Sequence, residues 1–371
     1  MTHIHLDKIE KLAGLVVEDA LPGEQAKIII QGIFTSDEPI FYKCIENISN
    51  VFLSKLPQDD ICRYLAIIHE DLSADIYVND FTIQMEIMSK RDVRGGELVL
   101  ANDIADIRRV TFPEITILNT DKLLYCAKIG WKFGLFFDFD WNKNLDLDKV
   151  ALILGDLCRY LKFQYVYEVI KPKKQFEEML NDGWFPFIEL LANGYKELVE
   201  AYKGKKLLQN KITEICRRFD NAYLESLTKR WFSKNVFKSK GTLINASIRA
   251  FLQRDESGYI NCFKTLHSEL EGILRLQYSS DTGSSDVKLK DLLDHVNTKG
   301  KSKTNSDYSL LLPSAFLEYL KNYIFKDFDV KTGNVSMSRH SSLHGVADAN
   351  KYTEARALQV ILTLDQLYFY L

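Results

Sequence analysis

Arg339, His340 and His344 carry the clearest chemistry in the sequence, within the run Met337-Ser338-Arg339-His340-Ser341-Ser342-Leu343-His344-Gly345. A guanidinium is a planar, permanently charged fork of donors that matches phosphate oxygens. An imidazole takes or gives a proton near neutral pH. Only seven histidines occur in the chain, and two fall here. The surrounding serines are short hydrogen-bonders of the kind that open helices. Together they form a small kit for phosphate chemistry. The same residues also admit a purely structural reading, in which Arg339 caps a preceding helix and His344-Gly345 closes one.

Helices must position this segment. Apolar spacing predicts them over residues 242–252, 259–277, 310–325 and 353–371, with Gly258 as the break before the second. The second carries Ile260, Phe263, His267, Leu270 and Leu274 on one seam, where His267 reads as a packed core residue. Glu271 and Arg275 stand four apart in the order that favours an ion pair. In the last helix Ala357, Leu358, Ile361, Leu364 and Leu367 face inward. Residues 279–307 turn polar and read as a long surface insertion with one short helical patch at 289–296. Its basic end includes Lys301 and Lys303, which could sweep over an RNA substrate.

Three features act together here. They are Arg339-His340-x-x-x-His344-Gly345, its place between two helices of an all-helical C-terminal unit, and Leu270-Glu271-Gly272-Ile273-Leu274-Arg275 on an earlier helix. This set resembles the HEPN superfamily, small helical bundles marked by Arg, a few residues, then His. The resemblance covers about residues 241–371 and is strongest to the HEPN domains of bacterial toxin and phage-defence ribonucleases. It implies a metal-independent endoribonuclease that needs no cofactor. In such enzymes the RNA 2′-hydroxyl attacks the adjacent phosphate and leaves a cyclic phosphate. Arg339 would then stabilise the charged phosphorane, His344 would be the general acid or base, and His340 would assist. Glu271, with Arg275 beside it, would orient Arg339 or a neighbouring group. Positions 339 and 344 lie about 140° apart on a regular helix. One straight helix therefore does not present both, and a cleft shared by two copies would, as in dimeric HEPN nucleases. A symmetric homodimer is expected, with an inhibitor or activator acting through the first 240 residues. The alternative is a HEPN fold without catalysis, a regulatory module that binds RNA or a nucleotide.

Upstream, residues 229–240 interleave basic and aromatic side chains. Lysines for a backbone and rings for bases suit single-stranded RNA, with Lys229, Arg230, Trp231 and Lys234 as contacts. Residues 147–240 otherwise read as helices at 150–161, 173–180, 188–202 and 207–219. Residues 1–74 read as mostly helical, including a stripe of Ile61, Tyr64, Leu65 and Ile68. From residue 75 the period becomes two. Ile76 and Val78, a turn at Asn79-Asp80, and alternation from Phe81 to Ile87 predict a hairpin. Further strands are expected at 115–118, 123–129 and 135–139, forming a small antiparallel sheet. Asp138 to Asn144 begins like a calcium loop, but Lys143 and Lys149 replace the glycine and glutamate such a loop needs, so a helix opening near Asp146 is preferred. His3 and His5 have no further ligand residue nearby, and no metal site is expected.

The fold class is therefore α+β and predominantly helical. Three parts are read: an N-terminal α+β domain at 1–145, a helical middle at 146–240, and the HEPN-like all-α bundle at 241–371. A net charge of −3 excludes a general polyanion binder, so contact with nucleic acid must come from local patches. Six scattered cysteines without a C-x-x-C pair read as reduced, buried thiols. With no secretory leader and no membrane-length apolar run, a cytoplasmic protein is expected.

Overall fold

The computed structural model describes residues 1–6, 13–53, 61–171, 174–192, 194–205, 207–304, 306, 308–326 and 349–371. The fold is α+β and predominantly helical. By internal contacts it groups into two units, residues 1–88 with 107–164, and residues 89–106 with 165–371. This grouping is coarser than the three parts read from composition.

In chain order the first unit contains β1 (Thr2–His5), β2 (Leu15–Val16), β3 (Ile28–Ile29), β4 (Gln31–Thr35), α1 (Pro39–Ile48), β5 (Arg63–Ile68) and β6 (Ser73–Val78). There follow β7 (Gln84–Ser89), β8 (Ile104–Thr111), β9 (Lys122–Ile129), β10 (Lys132–Asp138) and α2 (Leu147–Lys162), the unit boundary falling inside β7 and β8. Six strands form one antiparallel sheet in the order β1-β6-β5-β9-β10-β4. Side chains alternate across it. Tyr64, Ala66, Ile68, Leu124, Cys126, Leu135 and Phe137 share one face and form a core with Phe41, Cys44 and Ile48 of α1. The other face receives α2. A Cβ at Gly134 would stand 2.7 Å from Leu157, and one at Gly155 would stand 2.4 Å from the Arg108 carbonyl, so both glycines permit close approach. Asp146 opens α2 as expected, its carboxylate accepting the Lys149 N–H at 3.1 Å.

Several sequence expectations fail in this unit. Among the described residues, the helical reading of residues 1–74 holds only for α1 and the π-helical turn after it, and Ile9 and Leu12 lie outside the described residues. Arg63–Ile68 is a central strand buried on both faces, so its continuous apolar run imitates a helical stripe. The hairpin at Asn79-Asp80 does not form: β6 pairs with β5 and β1, whereas β7 pairs with β8. Residues 115–118 form no strand and run on from a bend at Ile115 without regular structure.

The second unit runs through α3 (Gln164–Ile170), α4 (Lys174–Asn181), α5 (Gly194–Gly204), α6 (Leu208–Arg218), α7 (Asn221–Trp231), α8 (Asn235–Lys238) and α9 (Gly241–Leu252). It continues with α10 (Glu256–Thr282), α11 (Leu289–Thr304), α12 (Pro313–Tyr319, extended by a π-helical turn Leu320–Ile324) and α13 (Glu354–Tyr370). Residues 357–367 of α13 are buried without a gap, because α6, α7, α9, α10 and α11 all pack on it. Its polar side chains are satisfied inside: Gln366 accepts the Ile188 N–H at 2.9 Å and Gln359 donates to the Asp182 carbonyl at 2.8 Å.

Gly258 does not separate helices. It lies inside α10, which Asp255 caps, and a Cβ there would stand 2.2 Å from the Ala250 carbonyl of α9. The polar insertion is also replaced. α10 runs on to a left-handed Gly283 with φ 74°, and α11 spans all of 289–304. The inward face of α11 is Leu292, Leu293, Val296, Gly300 and Thr304. Its last two positions are small or polar, which hides the helical period. The expected helix at 188–202 is a 3-10 turn, Ile188–Leu190, followed by α5.

Candidate functional site

Arg339, His340 and His344 lie outside the described residues, in the stretch between the π-helical turn and α13. The residues read as their supports are on α10. Glu271 is nearly enclosed, and its Oε1 accepts from Arg275 Nε at 2.8 Å and Nη2 at 2.7 Å. Arg275 also donates from Nη1 to the Val287 carbonyl at 2.9 Å, which fixes it to the turn before α11. His267, one turn earlier, is fully buried with its ring edge-on to Phe263 at 4.2 Å. It sits as the core residue its seam predicted.

The basic and aromatic stretch divides. The period of α7 turns Leu224, Leu227, Thr228 and Trp231 inward. Trp231 is fully enclosed and its Nε1 donates to Asp365 of α13 at 2.6 Å, so it presents no ring face to a base. Arg230 is folded in beside it. It pairs with Asp365 and, at 2.7 Å, with Glu189, and donates from Nη1 to the Lys90 carbonyl at 2.7 Å. Both were expected to touch RNA and instead hold the unit together. Lys229 stays exposed.

Lys234 and Lys303, read separately from the sequence, meet at the last turn of α13. Lys234 donates to the Tyr368 carbonyl and its Nζ lies 4.1 Å from the Tyr368 ring centroid. Lys303 donates to the Phe369 carbonyl at 3.2 Å. Such terminal carbonyls lack helical partners and favour cations. Burial, then the nearby Lys303 and Lys299 charges, push Lys234 down to about 7. Lys301, exposed on the same helix, takes no part.

Around Arg230 opens a cleft of about 890 Å³, lined only by residues of the second unit. Its floor is a charged cluster. Burial pushes Asp365 up to about 6 against the pull of Arg230. Burial works the same way on Glu189, but Lys90 and Arg230 outweigh it and hold that carboxyl low. Tyr223 donates its hydroxyl to Glu189. Lys90 lines the cleft, is itself 7 % exposed, and makes no side-chain hydrogen bond or ion pair among the described residues. Its burial lowers its pKa. Chemically the cleft is a place where an anion can be held against cations in a partly dry setting.

No family model, curated protein or solved structure matches the chain. Sequence reasoning missed Lys90, Glu189 and Asp365. None lies near Arg230 in the chain, and an isolated carboxylate inside an apolar helix, as at Asp365, was the one signal available.

Among the described residues no group of three or more His, Cys, Asp or Glu side chains is arranged to hold a metal. In the calcium-like loop Asp138 and Asp140 accept backbone N–H groups of Asp140 and Asn142 at 3.0 and 3.1 Å. His3 bonds Asp75 at 2.8 Å. All six cysteines are free, and Cys62 alone is exposed. Among the described residues no helix is long and apolar enough to cross a membrane.

Proposed function

We propose that the chain is a metal-independent endoribonuclease of HEPN type, acting in the cytoplasm in a toxin or anti-phage role. The observation that carries this reading is the Arg339-His340-x-x-x-His344 run, set in sequence between helices of a predominantly helical unit. In the proposed reaction the 2′-oxygen of RNA attacks the adjacent phosphorus and the bond to the 5′-oxygen breaks. His344 moves the proton, Arg339 balances the charge on the phosphorane, and His340 assists. A cyclic phosphate and a 5′-hydroxyl are left, and the sum needs no metal.

The packing of the second unit supports the frame of this reading. Glu271 and Arg275 form a fixed pair on α10, suited to orient a neighbouring group. The enclosed Trp231 argues against base stacking there, which leaves Lys229 and Lys301 as the exposed cations for an RNA backbone. A homodimer that pools two Arg-His pairs, and a regulator acting through the first 240 residues, belong to the same proposal.

The test is expression of wild type beside Arg339→Ala and His344→Ala in a bacterial host, with purified protein incubated with RNA and EDTA. Growth arrest and fragments ending in cyclic phosphate are expected for wild type alone. Cleavage that survives both substitutions sinks the proposal. Binding of RNA without any cleavage favours the regulatory-module reading instead.

A further inference from the structure

The cleft around Arg230 contains a group whose placement the packing of the helices does not explain. Lys90 follows β7, is 7 % exposed, and among the described residues has no carboxylate or carbonyl within bonding distance of its side chain. Its stem is buried while its Nζ still reaches water in the cleft, so the charge is held at the cleft with no counter-charge bonded to it among the described residues. Three nearby acids are already committed, while the exposed Asp92 on the lining has no cation paired with it among the described residues. Glu189 receives Arg230 and Tyr223, Asp365 receives Arg230 and Trp231, and Asp103 receives Arg91 at 3.1 Å. Arg230 adds a buried Nε with no acceptor. Lys229, on the same wall, is exposed and has no ion-pair partner among the described residues. Donors and positive charge thus outnumber what the fold itself uses.

From this we infer that the cleft is a binding site for a nucleoside polyphosphate, with the phosphates completing the bonds that Lys90 lacks and Lys229 steering at the rim. A cleft of about 890 Å³ is far larger than a bare phosphate needs, and falls within the range of pockets that enclose a small organic ligand. Tyr223, 37 % exposed, and the half-buried Tyr368 supply ring surface for a base. Burial lowers the proton affinity of Lys90, and an arriving phosphate would oppose that shift. The site is argued without Arg339 or His344, so it stands or falls separately from the nuclease proposal.

The experiment is calorimetric titration of the full chain with ATP, GTP, inorganic pyrophosphate and adenosine, repeated with Lys90→Met. ATP or GTP and pyrophosphate are expected to bind, adenosine much more weakly. Lys90→Met should weaken nucleotide binding about tenfold or more. It should also keep or raise the melting temperature of the free protein, which a merely structural lysine would not do. Should that variant fail to fold, the exposed Lys229→Gln decides, with about a threefold loss expected at modest salt. Absence of binding by ATP, GTP and pyrophosphate overturns the inference, as does adenosine binding as tightly as ATP. So does unchanged affinity in the folded Lys90→Met protein, or in Lys229→Gln where that variant decides. A single-stranded RNA that binds through Lys90 and is not displaced by ATP would reassign the cleft to RNA and equally overturn it.

Discussion

Truncating Asp365 to alanine is the sharpest test of how the helical unit is held together. Its side chain is 1 % exposed in the middle of α13 and accepts from Arg230 and from Trp231 Nε1. Removing one partner of a buried ion pair costs about 3–5 kcal/mol. An enclosed indole N–H left without an acceptor costs about 1–3 kcal/mol. The two penalties share one carboxylate and do not add in full. Arg230 also keeps Glu189 at 2.7 Å, which lowers the first. A loss of about 4 kcal/mol is expected from these terms. Asp365→Asn keeps an acceptor for Trp231 and removes only the charge, and should lose about 2 kcal/mol. Urea unfolding followed by tryptophan fluorescence and by circular dichroism measures both, with coincident transitions required before free energies are compared. A loss below about 1 kcal/mol for the alanine variant, or equal losses for both, would refute the assignment of Asp365 as the shared acceptor.

Other outcomes follow from the same contacts. Gly258→Ala places a methyl 2.2 Å from the Ala250 carbonyl, and the separation of α9 from α10 should cost about 1–3 kcal/mol in the same urea assay. His69 bridges Asp121 at 2.9 Å and Asp75 at 3.3 Å. Burial lowers its pKa, but bonds to Asp121 and Asp75 outweigh this and raise it. Its stabilisation is thus full below the unfolded value near 6.5 and fades as pH rises through the folded one. Urea midpoints at pH 6 and 8 should show this loss, and His69→Asn should flatten it. Lys234 has the opposite sign: the fold resists its protonation, so the penalty is full below about 7 and fades toward the unfolded value near 10.5. Lys234→Met should raise the melting temperature more at pH 6 than at pH 10, and an equal rise at both would show that charge is not the cause.

The sequence made some elements plain. Asp146 before an apolar-faced run marked α2, and the unbroken stripe from Ala357 to Leu367 marked α13. Lys122–Ile129 and Lys132–Asp138 were legible as short apolar runs set off by Asn119-Thr120-Asp121 and Gly130, although both are buried on both faces. What stayed hidden has a shared cause: burial that hydrophobicity does not record. Arg63–Ile68 is covered on both faces and loses its alternation. Gly300 and Thr304 complete the inner face of α11 without apolar side chains, because a Cβ at Gly300 would meet the Tyr370 ring at 2.5 Å. The cleft was illegible for a different reason. Arg230 meets a carbonyl 140 positions upstream and a carboxylate 135 positions downstream, and no local spacing encodes such a meeting. In Lys229-Arg230-Trp231 the composition was read correctly as basic and aromatic, yet which side faced water depended on α13.

The central seat of α13 also sets an order of events during synthesis. Helices α6, α7, α9, α10 and α11 are all made before the helix that they bury. Until residues 354–370 leave the ribosome, those helices carry apolar faces with nothing to cover them, the kind of surface that chaperones bind and proteases cut. Asp365 comes late as well, so Arg230 and Trp231 wait unpaired in the nascent chain. Residues 339–344 emerge before this framework closes. A message broken between codons 345 and 354 would yield those helices without the one they pack on.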